Sequence, residues 1–300
     1  MKKILVTGSN GLLGQKIVEI LAGAKTVRII ATSKNTDKIA GVQGYDFELL
    51  DLTNYVETEY IIRVHNPDTI IHTAAMTQVD KCEEQKADCW EINVEAVKTL
   101  VKCSNNVNAH LIHLSSDFVF DGIKGPYSET DTTNPLSYYG LSKLEGEKIL
   151  MSMAYKWTVV RTILVYGVNR SLTRSNIVLW VKNSLEAGNP IRVVNDQFRA
   201  PTLVDDLANA CIEMAVREKE GLFHISGPEM MSILDIAYKV ADYYKLDKSL
   251  ITPVSSAELN EIAQRPRSTG FVLEKAGREL DYHPRSFEEG LQIVDNYLAS

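Results

Sequence analysis

The segment Gly8-Ser9-Asn10-Gly11-Leu12-Leu13-Gly14 joins an apolar run, Lys3-Ile4-Leu5-Val6-Thr7, to residues at helical spacing: Leu13, Ile17, Ile20 and Leu21. A buried strand that turns on glycine into a helix packed back against it is the start of a βαβ unit. Gly8 permits the turn, Gly11 lets a ligand approach the backbone, and Gly14 lets the helix sit tightly on the strand. The helix start, from Asn10 through Leu12 and Leu13, then offers unpaired N–H donors at the positive end of the dipole. That arrangement suits a pyrophosphate. The spacing is G-x-x-G-x-x-G and not G-x-G-x-x-G, so the glycines speak only together with the strand and helix around them.

The alternation continues. Residues 26–32 and 45–50 read as strands, 55–65 as a helix stopped by Asn66-Pro67, 69–73 as a strand, 83–103 as one long helix, and 109–114 as the next strand. Apolar strands without polar alternation are buried on both faces, which means a parallel sheet with crossover helices on each side. The fold class expected is α/β: a Rossmann-type doubly wound parallel sheet with a smaller C-terminal α/β lobe. The sheet is assigned to residues 1–165 and the lobe to 166–300, partly interleaved with it. In the second half, elements are punctuated by Asn189-Pro190, Ala200-Pro201, Gly227-Pro228 and Thr252-Pro253. Ser232 there caps a helix whose Ile233, Ile236, Ala237, Val240, Ala241 and Tyr244 form one core-facing stripe.

Charge narrows the partners. With 32 Lys+Arg against 39 Asp+Glu the formal charge is -7, and no basic run offsets it, so nucleic acid is excluded as a partner. A local basic pocket for a small phosphorylated ligand stays open. Cys82, Cys89, Cys103 and Cys211 have neither CxxC nor metal-ligand spacing, as expected for thiols in a reducing compartment. His110 and His113 lie on opposite faces of a strand, so no metal site is assigned. The N-terminal apolar run stops at Thr7-Gly8, too early for a signal peptide, and no stretch reaches the roughly 18 apolar residues of a membrane span. The expectation is a soluble, cytoplasmic protein without a membrane partner.

The end of the second strand selects the dinucleotide. An acid there would hold a ribose 2′-hydroxyl and repel a 2′-phosphate. This chain has Ala31-Thr32-Ser33-Lys34-Asn35, with no acid before Asp37. Ser33 can donate to a phosphate and Lys34 can neutralise it, which favours NADP(H), with NAD(H) the alternative. Asp51-Leu52, at the end of the third strand, is placed to bring a carboxylate to the adenine amino group.

Tyr139-Gly140-Leu141-Ser142-Lys143 sets a phenol and an ammonium on one helix face. An alkoxide formed by reduction of a carbonyl needs a proton, and Tyr139 can give it. Free tyrosine titrates near ~10. An ammonium about 4 Å away, at an effective dielectric of about 20, supplies about 4 kcal/mol, enough to bring the phenol toward neutrality, although burial opposes it. Upstream, Ser115-Ser116-Asp117 ends a strand at the sheet edge where ligands bind in parallel α/β folds, and a hydroxyl there can polarise a carbonyl.

In this order, the glycine loop, serine strand end and YxxxK resemble the extended, nucleotide-sugar-modifying branch of the short-chain dehydrogenase/reductases. Within that branch they resemble the dTDP-4-dehydrorhamnose reductase family. The resemblance extends through Asn66-Pro67-Asp68, His72 to Asp80, Asn93, Ser115 to Gly122, Asn134-Pro135-Leu136, Arg161-Thr162, Asp196-Gln197, Pro201-Thr202 and Arg265-Pro266. It implies Ser116, Tyr139 and Lys143 as the catalytic set, and Ala74, Ala75 and Asn93, with Tyr139 and Lys143, beside the cofactor. It places Thr77, Val79, Asp80, Asp117, Gln197 and Arg265 toward the sugar nucleotide. Met76, Arg199 and the Gly167-Val168-Asn169-Arg170 turn depart from the family pattern, all around the sugar pocket. Arg170 and Arg174 are either a diphosphate clamp or solvated loop residues. Lys34, Lys143, Arg265 and Arg199 are the candidate local cationic sites.

The implied activity is NADPH-dependent reduction of the C4 keto group of a nucleotide-linked 4-keto-6-deoxysugar, in dTDP-L-rhamnose synthesis. A homodimer is compatible with the resemblance. Two alternatives stay open: an epimerase or dehydratase with bound NAD+, and a non-catalytic cofactor-binding subunit of the kind methionine adenosyltransferase carries.

Overall fold

Apolar strands with no polar face can be buried only between two layers. In the computed structural model of the chain, which describes residues 1–24, 26–39, 41–169, 176–259 and 261–299, they lie in one parallel sheet. Its strands include β1 (Lys3–Thr7), β2 (Arg28–Ser33), β3 (Asp46–Leu49), β4 (Thr69–His72), β5 (His110–Ser116) and β6 (Trp157–Thr162). Their spatial order is β3-β2-β1-β4-β5-β6, and Gly221–Ile225 adds a seventh strand beside β6. Side chains alternate between the two faces. Ile4, Val6, Ile29 and Ile71 pack with Ile17, Val18 and Leu21 of α1 (Leu12–Ala24) and with Leu207, Cys211 and Met214. Leu5, Ile30, Ile70 and Leu111 pack on the other face with Ile61 and Ile62 of α2 (Tyr55–His65) and with Val97, Leu100, Val101 and Leu150.

Local chemistry explains the element ends that the sequence marks. The Asn54 side chain caps α2 by accepting the Glu57 N–H, and Asn66 closes it in the left-handed conformation at φ 46°, which asparagine tolerates. Ser232 and Asp235 form a reciprocal capping box.

The long helix expected over residues 83–103 is interrupted. The chain forms α3 (Val79–Glu84) and α4 (Lys86–Trp90), separated at Gln85 with φ -120° and ψ 58°. A π-helical turn, Glu91–Glu95, leads into α5 (Ala96–Asn106). The π turn holds Asn93 and Val94 buried. Residues 83–88, Glu-Glu-Gln-Lys-Ala-Asp, carry a single apolar side chain and no proline or glycine, so the break has no local breaker to mark it.

After α6 (Tyr138–Met153), the C-terminal portion begins with β7 (Val165–Tyr166), α7 (Ile177–Glu186), β8 (Ile191–Val194), β9 (Phe198–Arg199) and β10 (Thr202–Leu203). Then α8 (Val204–Arg217) and β11 (Gly221–Ile225) return to the large sheet: α8 packs against α1, and β11 is its seventh strand. The chain leaves again through β12 (Met231–Ser232), α9 (Ile233–Tyr244), β13 (Ile251–Val254), β14 (Ser268–Thr269), α10 (Glu274–Leu280) and α11 (Phe287–Ala299). A separate apolar core joins α7, β8, α9, β13 and α11 through Val178, Val181, Ile191, Ile236, Val240, Ile251 and Leu291. The architecture is thus a Rossmann-like parallel sheet with additional C-terminal α/β elements. No helix among the described residues is long and apolar enough to cross a membrane.

Candidate active site

The strand order reverses between β1 and β4, and in open α/β sheets ligands bind outside the carboxyl ends of the strands at such a point. The predicted residues gather there. Gly8 turns with φ +70°, and a Cβ on it would lie 2.6 Å from the Ala74 nitrogen. Only glycine lets the turn after β1 sit against the turn after β4. A Cβ on Gly14 would lie 2.4 Å from the Gly8 carbonyl oxygen, so α1 starts hard against the loop. Gly11 donates to Gly8 O at 2.9 Å, and the first bond of the helix runs from Gln15 N to Gly11 O at 3.0 Å. The amides of Leu12, Leu13 and Gly14 therefore precede the helix's own hydrogen bonding, as anion-binding amides must.

Asn10 does not face outward as a ligand group. Its amide donates to Asn35 O and Thr36 O, and its Oδ1 accepts from Lys38 N, which pins the loop after β2. Ser33 is buried at the end of β2, and Lys34 is exposed beside it. Asp37, the nearest acid, is engaged: it accepts from the Tyr45 hydroxyl at 2.6 Å and from Ile39 N. Asp51 is exposed after β3, where it caps Thr53, and Leu52 follows half-buried. Ala74 and Ala75 lie half-buried along the turn after β4. Asn93, from the π turn, clamps the next residue of that turn. Its Oδ1 accepts from Met76 N at 2.9 Å, and its Nδ2 donates to Met76 O and Ser142 Oγ, both at 3.0 Å. The site therefore fits a dinucleotide: its cradle is closed to side chains, and its flanking turns are tied down by buried amides.

Ser116, Tyr139 and Lys143 come together on β5 and α6. Ser116 Oγ donates to Asp117 Oδ1 at 3.0 Å, and its hydroxyl is near enough to the Tyr139 phenol to favour the phenolate. Burial pushes that phenol well above its ordinary value, against the influence of the Ser116 hydroxyl, and the Asp117 carboxylate adds to the rise. The lysine expected to draw the phenol toward neutrality does not do so. Its Nζ is directed at His113 Nε2, 3.4 Å away, and desolvation of Tyr139 dominates. Burial lowers Lys143 itself to about 8, against the attraction of Glu147.

The outer wall differs from expectation in its pairing. Asp117 is enclosed, and its carboxylate faces Ser116, Thr269 Oγ1 and the Arg199 guanidinium rather than an open cleft. Arg199 is no free cationic site: it donates to Phe198 O and Pro266 O at 2.7 Å and to Arg267 O at 3.3 Å. Arg265 pairs with Asp80 at 2.7 Å and with Glu261 at 3.0 Å, so two residues expected to face substrate face each other. Asp80 also accepts from Ala263 N, and its carboxyl is held below the usual range by Arg265 despite burial. Gln197 is buried and reaches Glu261 at 3.4 Å. Thr77 is exposed and Val79 half-buried at the start of α3. Arg170 and Arg174 lie outside the described residues.

Two buried groups escape sequence reasoning. His72 and His113 stack with ring centroids 5.2 Å apart beneath Lys143, and Cys82 and Cys89 pack against Tyr139. The strand-end position of the histidines was visible; their convergence on a helix far along the chain was not. Among the described residues no group of three or more His, Cys, Asp or Glu is arranged to hold a metal ion.

Comparison with known proteins agrees with this geometry. The RmlD substrate binding domain family matches residues 1–299. A dTDP-4-dehydrorhamnose reductase of Aggregatibacter actinomycetemcomitans is 29% identical over 99% of both chains. Methionine adenosyltransferase 2 subunit beta of Bos taurus is 30% identical over 89% of this chain and 79% of its own. Among solved structures, a dTDP-4-dehydrorhamnose reductase of Clostridium acetobutylicum superimposes with a TM-score of 0.89 at 31% identity, covering 99% of this chain and 100% of that one. The Bacillus anthracis reductase in complex with NADP does so with a TM-score of 0.85 at 27% identity, covering 100% of both. Sheet topology, glycine cradle and whole-chain match together mean that this chain belongs to the RmlD family, the family of the dTDP-4-dehydrorhamnose reductases.

Proposed function

We propose that the protein reduces the C4 keto group of a nucleotide-linked 4-keto-6-deoxysugar with NADPH, as a dTDP-4-dehydrorhamnose reductase does. The observation that carries the reading is that Ser116 at the end of β5 and Tyr139 at the start of α6 are buried side by side at the sheet edge that also carries the glycine cradle. The amides at Gly11 to Gly14 would hold the pyrophosphate, with Ser33 and Lys34 at the 2′-phosphate and Asp51 and Leu52 near the adenine. Tyr139 and Lys143 would hold the nicotinamide ribose. When bound, the nicotinamide supplies the hydride.

The chain's own residues manage the proton. Ser116 Oγ turns its hydrogen from Asp117 to the carbonyl oxygen and polarises it. Tyr139 then transfers its phenolic proton to the developing alkoxide. A reduction needs a loaded acid, and the burial that raises the phenol keeps it protonated throughout the working pH range. The Lys143 ammonium stabilises the phenolate left behind.

The test is NADPH oxidation by the purified protein, with dTDP-, UDP- and GDP-linked 4-keto-6-deoxysugars offered in parallel. Turnover is expected with dTDP-4-keto-6-deoxy-L-lyxo-hexulose, and silence toward every sugar would overturn the reading. The similarity to methionine adenosyltransferase 2 subunit beta supports a second reading, a cofactor-binding subunit of another enzyme. A stoichiometric partner recovered from a protein without turnover would favour it.

A further inference from the structure

A buried ammonium needs acceptors, because each N–H left without one costs desolvation free energy. Lys143 is 2% exposed. Glu147, one turn further along α6, attracts it, but both Glu147 oxygens already accept from Arg161, at 2.9 and 2.7 Å. The thiols of Cys82 on α3 and Cys89 on α4 bond to Met76 O, Ser142 and Asn93 and not to the lysine. Among the described residues, the hydrogen-bond acceptor within reach of Nζ is His113 Nε2 on β5, at 3.4 Å.

That ring is held from several sides. It stacks on His72 of β4 with an interplanar angle of 23°, and His72 Nδ1 is in turn bonded to Thr7 Oγ1 at 2.7 Å. On the α6 side, a Cβ at Gly146 would lie 3.4 Å from His113 Nε2 and 3.0 Å from Asn93 O, so glycine leaves the ring its place. Thr7 is the residue before the Gly8 turn. A continuous buried line, Thr7–His72–His113–Lys143, therefore runs from the glycine turn to the lysine across three neighbouring strands, at the ends of β1 and β4 and the middle of β5.

We propose that His113 is a positioning residue: its neutral ring, protonated on an Nδ1 that has no partner among the described residues, accepts at Nε2 from the Lys143 ammonium and fixes that charge between α6 and β5. The proposal deepens the reductase reading and rests on it for its kinetic consequence. Burial keeps the ring neutral, with Lys143 and His72 adding to the effect, so it stays an acceptor at working pH. Removing the acceptor makes the charged lysine less favourable. Lys143 then loses its proton at lower pH, and with it the ability to stabilise the phenolate.

Two measurements test this. In protein labelled with 15N-histidine, the His113 ring signals, assigned by their loss in His113→Gln, should show a titration centred near the Lys143 value of about 8. That titration should vanish in Lys143→Met. In the NADPH assay, His113→Leu should lower kcat by about tenfold or more and move the alkaline limb of the pH profile to lower pH. His113→Gln, which keeps an acceptor, should restore most of both. A His113 ring silent near pH 8, or a His113→Leu enzyme with the parent profile, overturns the proposal. If the ring titrates as expected and the parent protein reduces no nucleotide sugar, the pairing stands and the reductase reading falls instead.

Discussion

The Arg199 guanidinium lies 3.6 Å from the Asp117 carboxylate, and both side chains are almost wholly enclosed. The pair ties the end of β5, where Ser116 sits, to β9 and to the Pro266–Arg267 segment before β14. Removing one partner of a buried pair strands the other charge. Arg199→Met should therefore destabilise the fold by about 3–5 kcal/mol, read from urea denaturation, and a loss near zero would show that Asp117 finds another partner.

Gly8→Ala places a Cβ 2.6 Å from Ala74 N at a φ of +70°. The left-handed conformation alone costs about 1–2 kcal/mol, and the contact with backbone cannot be relieved by a rotamer. Thermal denaturation should show a lowered Tm, and NADPH fluorescence titration a weakened affinity. An unchanged Tm with unchanged binding would remove the close approach of the two turns from the account.

Tyr139→Phe should lower kcat by about 10²–10⁴-fold while NADPH still binds, since the ring remains and only the proton donor goes. Full turnover in this variant would take the proton-donor role from Tyr139.

Lys34 is exposed beside buried Ser33, and the nearest acid, Asp37, is occupied by Tyr45. Lys34→Ala should cost NADPH about tenfold in kcat/KM, the size of one charge-assisted hydrogen bond, and leave NADH almost unaffected. Equal effects on the two cofactors would mean that Lys34 does not meet the 2′-phosphate.

Acid should unfold the protein through its buried histidines. Burial depresses His72 and His224 to about 3 and His110 to about 4, and holds His113 well below its ordinary value. As pH falls below about 6.5 the unfolded chain takes up protons that the folded chain refuses. Their contribution to stability is thus complete above that pH and lost as pH falls toward the folded values, at no more than about 5 kcal/mol per pH unit for all these rings. Urea denaturation between pH 7 and pH 5 should show the decline, shallower in His110→Gln. Flat stability over that range would contradict the buried neutral state.

What could be read without coordinates was local. The glycine turn after β1, the Asn66 stop of α2, the Ser232 cap and the Tyr139/Lys143 helix face depend on residues a few positions apart, whose conformational preferences act wherever the chain goes. The break at Gln85 was not legible, because no proline or glycine marks it and the π turn that buries Asn93 answers to the turn after β4.

The amino-acid sequence by itself determined the parallel α/β layering, the cofactor cradle and the order of the hydroxyl, phenol and ammonium along the chain, since backbone freedom and side-chain spacing suffice for these. Only the tertiary structure decided which charges remain free. Asp80 meets Arg265 across 185 positions of sequence, Asp117 meets Arg199, and Lys143 turns from Tyr139 to His113. Each pairing is made because a buried charge takes the partner that packing brings within reach, and packing brings together residues whose separation along the chain carries no sign of it.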